Sequence, residues 1–167
     1  MEGFNKTEIE NLLSKPLKVI PDFRGSFIKL GTPPLYVEEN ISMSHRKTLR
    51  GIHYETEGCR TFTPIYGRLY VVFLDLQDNS SSKDDWFSLT IDESNRQTFR
   101  IPPYVGCGFL VLSDLVTIHY KWQLKYDQGR QRTIRFDNPL YNIYWPGDHE
   151  DFILSERDYY VDENLIR

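Results

Sequence analysis

Residues 49–60 read Leu-Arg-Gly-Ile-His-Tyr-Glu-Thr-Glu-Gly-Cys-Arg. A histidine titrates close to working pH, so His53 can take a proton and give it back. If "RGIHY" is a strand, Ile52 and Tyr54 face one way and His53 faces the other with Gly51, which leaves room beside the ring. A ring in such a setting can equally be a satisfied core or surface group, and the local sequence leaves both open. Arg50 and Arg60 bracket this histidine, and Arg24 lies upstream. In a pocket, guanidinium forks bind phosphate or carboxylate oxygens in pairs; on a surface they are simply solvated.

"LVTIHYKW" (115–122) is the second stretch with chemistry in it. Period two puts Val116, Ile118, Tyr120 and Trp122 on one face, and His119 with Lys121 on the other. Tyr120 therefore belongs to an apolar, inward-looking row, as plain core or as an acid at the base of a pocket. If the pocket lies on the other face, His119 and Lys121 are the functional pair. Asp158, in "LSERD", is an acid that would orient a histidine and support its charged form if the fold brought the two together.

Several chemistries are not supported. A mononuclear metal site needs about three close ligands, and strand sites often supply two as His-x-His. His45, His53, His119 and His149 form no such pair, and Cys59 and Cys107 form no Cys-x-x-Cys. No metal is expected. "GCGFL" lacks the glycine spacing and lysine of a phosphate loop, and no Gly-x-Ser-x-Gly elbow occurs.

The elements that must position these residues are mostly short strands. "GRLYVVFLDLQ" is a central strand, and "WFSLTI", "QTFRI", "FLVLSD" and "LVTIHYKWQ" are further strands between polar turns. "PPYVGCG" reads as a Pro/Gly loop. Helical signal is confined to "TEIENLLSK", with Thr7 as cap, Glu10 closing the box and Ile9, Leu12 and Leu13 as a stripe before Pro16, and to the tail from 151 onward. The fold expected is all-β, a β-sandwich of jelly-roll type with short helices at the termini, in one domain spanning 1–167 with 1–16 as a helical extension. A net charge of -4 gives no general field for nucleic acid or membrane. Two cysteines make no disulfide scaffold, no signal segment is visible, and no stretch approaches about 18 apolar residues, so a cytoplasmic setting is expected. The eleven tyrosines suit a pocket or an interface.

In order, "DFRGSF", "EENISMS", "LRGIHY", "GRLYVVFLDL", "FRIPPYVGCGFLVLSD", "YKW", "FDNPLYNIYWP" and "LSERD" together resemble the dTDP-4-dehydrorhamnose 3,5-epimerase family, over most of the chain from about residue 17. The resemblance implies a metal-free, cupin-like jelly-roll homodimer that uses no cofactor and acts on a nucleotide-linked 4-keto-6-deoxy sugar. It also implies roles: His53 as base, Asp158 as its orienting carboxylate, Tyr120 as the acid across the sugar ring, Arg24 and Arg50 as phosphate or substrate contacts, and Tyr126 as a further pocket residue. Arg60 falls where the family has a lysine near the developing enolate. One departure stands out. Cys107 occupies the place of a second pocket histidine, and Val71 that of its aspartate partner, so Cys107 becomes a pocket wall. The competing readings are a sugar-nucleotide ketoisomerase, a domain that binds a sugar nucleotide without chemistry, and an unrelated metal-dependent cupin.

Overall fold

The computed structural model describes residues 4–22, 25–29, 37–125, 127 and 129–159. Thirteen strands follow one another: β1 (Asn5–Lys6), β2 (Leu13–Pro16), β3 (Lys18–Asp22), β4 (Gly25–Lys29), β5 (Glu38–His45), β6 (Leu49–Glu55), β7 (Arg60–Tyr66), β8 (Leu69–Asp75), β9 (Trp86–Ile91), β10 (Gln97–Ile101), β11 (Val105–Val111), β12 (Leu115–Trp122) and β13 (Gln131–Thr133). A short helix α1 (Glu156–Tyr159) comes after them. Two antiparallel sheets form a sandwich, ordered β1-β2-β10-β7-β12-β5 and β13-β6-β11-β8-β9, with β3-β4 as a separate ribbon. This is the expected jelly-roll class. Among the described residues no helix is long and apolar enough to cross a membrane.

The apolar run in β8 follows from its place in the sandwich. Leu69, Val71 and Phe73 join the core between the sheets with Phe62, Phe99, Phe109, Val116 and Ile118. Tyr70, Val72 and Leu74 point outward, into a second core capped by Ile134, Phe136, Ile143 and Trp145 from the C-terminal segment. A strand covered on both faces has no need for alternating polarity.

Two readings of the sequence need correction. The helix expected over "TEIENLLSK" is a tight turn between β1 and β2. The Thr7 hydroxyl accepts from the Ile9 N–H and donates to the Leu12 carbonyl, and Asn11 takes a left-handed backbone with φ 64°. Nine residues make a marginal helix on their own. Burying Ile9 and Leu12 in the inner core and pairing β2 with β10 wins instead. The second correction concerns "VGCG", which is strand. A Cβ on Gly106 would lie 2.5 Å from Ile52 Cγ2, and one on Gly108 would lie 3.1 Å from Ile52 Cγ1 and 3.2 Å from Trp145. These glycines make room for packing against β11, a use that resembles turn composition in one dimension.

One irregularity positions the site. In the β6–β11 ladder His53 pairs with Cys107 and Arg50 pairs with Phe109, so Gly51 and Ile52 together oppose Gly108. Residues three apart on a regular strand face opposite sides. This bulge brings Arg50 and His53 to the same side. Only glycine fits at position 51, because φ is 112° and a Cβ would lie 2.7 Å from Gly108 Cα and 2.8 Å from the Cys107 carbonyl oxygen. Gly51→Ala is expected to cost at least about 2 kcal/mol, or roughly 4–8 °C in melting temperature for a domain of this size, measurable by thermal unfolding.

Candidate active site

Between the sheets, His53 from β6, Cys107 and Phe109 from β11, Arg60 from β7, Tyr120 and Trp122 from β12, Gln131 from β13 and Arg50 line one cleft with about 390 Å³ of empty space. His53 and Tyr120 thus reach the same cavity from opposite sheets. His119 and Lys121 instead meet Glu39, away from this cleft, at 3.1 and 3.0 Å. His149 packs against Phe136 and Phe152, and His45 is exposed.

Asp158 reaches the site from α1. Its Oδ1 lies 2.6 Å from His53 Nε2 and also accepts the Gly51 N–H at 3.3 Å; its Oδ2 accepts the Ser155 hydroxyl at 2.7 Å. The tail is docked for this contact by Arg157 Nε donating to Thr133 Oγ1 and by Arg135 donating to the Tyr159 carbonyl. Burial pushes the Asp158 carboxyl up, but the hydrogen bond and charge of His53, with the Ser155 and Gly51 donors, outweigh it and hold the carboxyl below its ordinary value. An ionised carboxylate only accepts. Nε2 of His53 therefore carries its proton and donates to Asp158, which leaves Nδ1 as the basic lone pair.

Burial pushes the Tyr120 phenol well above its ordinary value, the Cys107 thiol adds to this, and Arg60 opposes it. The phenol therefore stays protonated at neutral pH. Its ring packs on Phe62 at 5.6 Å and stacks on Trp122 at 5.2 Å. Arg60 is only 5% exposed. Its guanidinium donates to the His53 carbonyl oxygen at 2.7 Å and to Glu55 Oε1 at 3.4 Å, and Gln131 Nε2 holds Glu55 at 2.7 Å. Arg50 donates through Nε to Ser44 Oγ at 2.9 Å.

Cys107 and Val71 lie in the same inner apolar core. Burial pushes the Cys107 thiol up to about 12, so it offers neither thiolate nor base at neutral pH. Arg24 and Tyr126 lie outside the described residues. Sequence reasoning gave no role to Trp122 or Gln131. Trp122 was legible, since it shares the period-two row of Tyr120; nothing in "YDQGRQ" marks Gln131. A wider groove elsewhere is lined by Glu8, Asp84, Asp85 and Tyr141, a charge that repels phosphate.

Residues 6–163 match the sequence profile of the dTDP-4-dehydrorhamnose 3,5-epimerase family. The dTDP-4-dehydrorhamnose 3,5-epimerase of Methanothermobacter thermautotrophicus is 32% identical over 167 residues, covering 93% of this chain and 90% of the relative. The structure is similar to that of the Legionella pneumophila 3,5-epimerase in complex with dTDP-4-keto-L-rhamnose, with a TM-score of 0.84, 25% identity, and coverage of 93% of this chain and 89% of that one. It is also similar to a 3'-monoepimerase from Streptomyces bikiniensis in complex with dTDP-quinovose, with a TM-score of 0.84, 25% identity, and coverage of 93% and 84%. With such a match along nearly its whole length, the chain belongs to the dTDP-4-dehydrorhamnose 3,5-epimerase family.

Proposed function

We propose that the protein epimerises a nucleotide-linked 4-keto-6-deoxy sugar, hexose or heptose, at C3, C5 or both. The C4 ketone acidifies the hydrogens on its two neighbouring carbons. His53 Nδ1 removes one of them, and the electron pair moves into a C=C bond as the carbonyl oxygen becomes an enolate oxygen. Asp158 fixes the ring and stabilises the imidazolium that forms. Tyr120, on the opposite side of the sugar, gives its proton to the same carbon from the other face, and the ketone reforms with that centre inverted. The phenolate then takes a proton from solvent and the imidazolium gives one up to it, which restores both groups.

One observation carries this reading. An imidazole bonded to a buried carboxylate and a protonated phenol enter one cleft from opposing sheets. Arg60 supplies positive charge for the enolate, and Arg50, with Arg24 and Tyr126, serves the phosphates and sugar. Binding without chemistry would not call for a base and an acid set against each other. The cleft holds one histidine–aspartate pair and an apolar wall at Cys107, which distinguishes it from a ketoisomerase site with two histidines. A cytoplasmic setting accords with two free, buried cysteines.

A homodimer accords with the exposed surface of the six-stranded sheet. Met43 and Tyr66 both pair with Thr117, and Ile41 lies two residues along on β5. These three apolar side chains are 61%, 57% and 66% exposed, a patch of the kind that a partner covers.

In heavy water with a 4-keto sugar nucleotide, the wild type is expected to wash deuterium into C3, C5 or both. His53→Ala should slow this by about 10²–10⁴-fold. Wash-in at the wild-type rate would remove His53 as the base. Tyr120→Phe should still incorporate deuterium but with the original configuration retained, as seen by NMR of the product. Iodoacetamide at pH 8 should leave Cys107 of the folded protein unmodified by mass spectrometry, since only about one part in ten thousand of a thiol at 12 is ionised there. Met43→Glu should shift the sedimentation coefficient from dimer to monomer.

A further inference from the structure

Arg60 Nε and Trp122 Nε1 are buried side-chain donors with no hydrogen-bond partner among the described residues. Both are on residues that line the cleft. They are also direct partners across the β7–β12 ladder. Residues so paired have Cβ atoms about 4.5–5.5 Å apart on one face of the sheet. Two N–H donors left over at adjacent positions in a cavity wall mean more than either would alone. Buried donors are almost always matched, so an unmatched pair marks a place for an acceptor from outside the chain.

Both side chains are held from elsewhere. The two terminal nitrogens of Arg60 are engaged by Glu55 and the His53 carbonyl, and Nε is the guanidinium nitrogen without a partner among the described residues. The Trp122 indole is stacked on Tyr120 with 27° between the ring planes. Both side chains are thus held in place before a ligand arrives, and a small opening of the cleft wall would present their donors to it.

We propose that the Trp122 indole N–H is a second donor to the sugar's C4 oxygen, so that Arg60 and Trp122 together form the oxyanion site. This rests on the epimerase reading above. A neutral donor beside a cationic one suits an oxygen that starts as a carbonyl and becomes an anion. The diphosphate is a poorer candidate, since it carries its charge throughout and calls for exposed cations such as Arg50. Position agrees as well. Trp122 neighbours Tyr120, the group that returns the proton to C3 or C5, and the C4 oxygen is borne by the carbon between these two. When the proton leaves carbon, the C4–O bond loses its double-bond character and the oxygen takes the charge, which the two donors hold until Tyr120 delivers its proton and the carbonyl reforms. Trp122 would thereby be a catalytic residue, touching the atom at which charge develops.

The test is solvent-deuterium wash-in measured against substrate concentration. Trp122→Phe keeps a ring against Tyr120 and removes the N–H. Its kcat should fall by about 100-fold with KM moved less than about twofold and the melting temperature nearly unchanged. Replacement of Trp122 by 3-benzothienylalanine, which has sulfur in place of the N–H and the same shape, should reproduce the loss and decides the matter if the phenylalanine variant misfolds. Wild-type kcat in the benzothienyl protein, or a loss confined to KM, overturns the proposal while leaving the epimerase reading standing. A wild type that exchanges no hydrogen of any 4-keto sugar nucleotide overturns both.

Discussion

A buried carboxylate is costly unless donors surround it, and Asp158 shows how that cost organises this site. At 2% exposure it is kept ionised by three groups: the His53 ring, the Gly51 N–H and the Ser155 hydroxyl. Each belongs to a different structural decision. The ring is the proposed base, Gly51 is the pivot of the bulge in β6, and Ser155 begins the turn that carries Asp158 itself. The same oxygen that orients the imidazole also holds the backbone that aims it. Removing any one donor would loosen the others, because an unmatched ionised group so deep is far more expensive than the net worth of each bond.

Much of this was legible in one dimension, and the rest fails for identifiable reasons. The row Val116, Ile118, Tyr120 and Trp122 follows from period two and is found as read, with Val116 and Ile118 in the core and both aromatic rings at the cleft. β8 announces itself by an apolar run. His53 and Tyr120 were visible as reactive types, although only the fold puts them in one cavity. The bulge was invisible, because it depends on Gly108 of another strand; strict alternation would have put Arg50 on the far side from His53. The glycines of β11 read as a loop because a glycine that accommodates a neighbour's side chain looks the same as one that makes a turn. The N-terminal helix was a local preference defeated by two buried side chains. Asp158 could be placed beside His53 only through the family likeness, since 105 residues separate them.

The pocket is chemically lopsided. On one side a histidine and an aspartate form a fully bonded polar pair. Where the family pattern has a second such pair, this chain has Cys107 and Val71, both absorbed into the core with Phe62 and Phe109. The two replacements are physically coupled. A lone histidine there would sit among aromatic rings without its acid, and a lone aspartate would be a buried charge without its partner. Changing both restores a consistent apolar wall and, among the described residues, leaves Arg50, Arg60 and the His53–Asp158 pair as the charged groups of the cleft.

The distance along the chain between Gly51 and Asp158 has a consequence for how the protein comes into being. The sandwich can close around its inner core once β12 has been made, yet the imidazole then has no counter-charge and the bulge beneath it lacks its anchor. The segment that covers the outer sheet must be laid down before α1 can deliver the missing acid. The pair is therefore completed only after Asp158 has emerged, 105 residues behind His53, and a nascent chain on the ribosome lacks it until then.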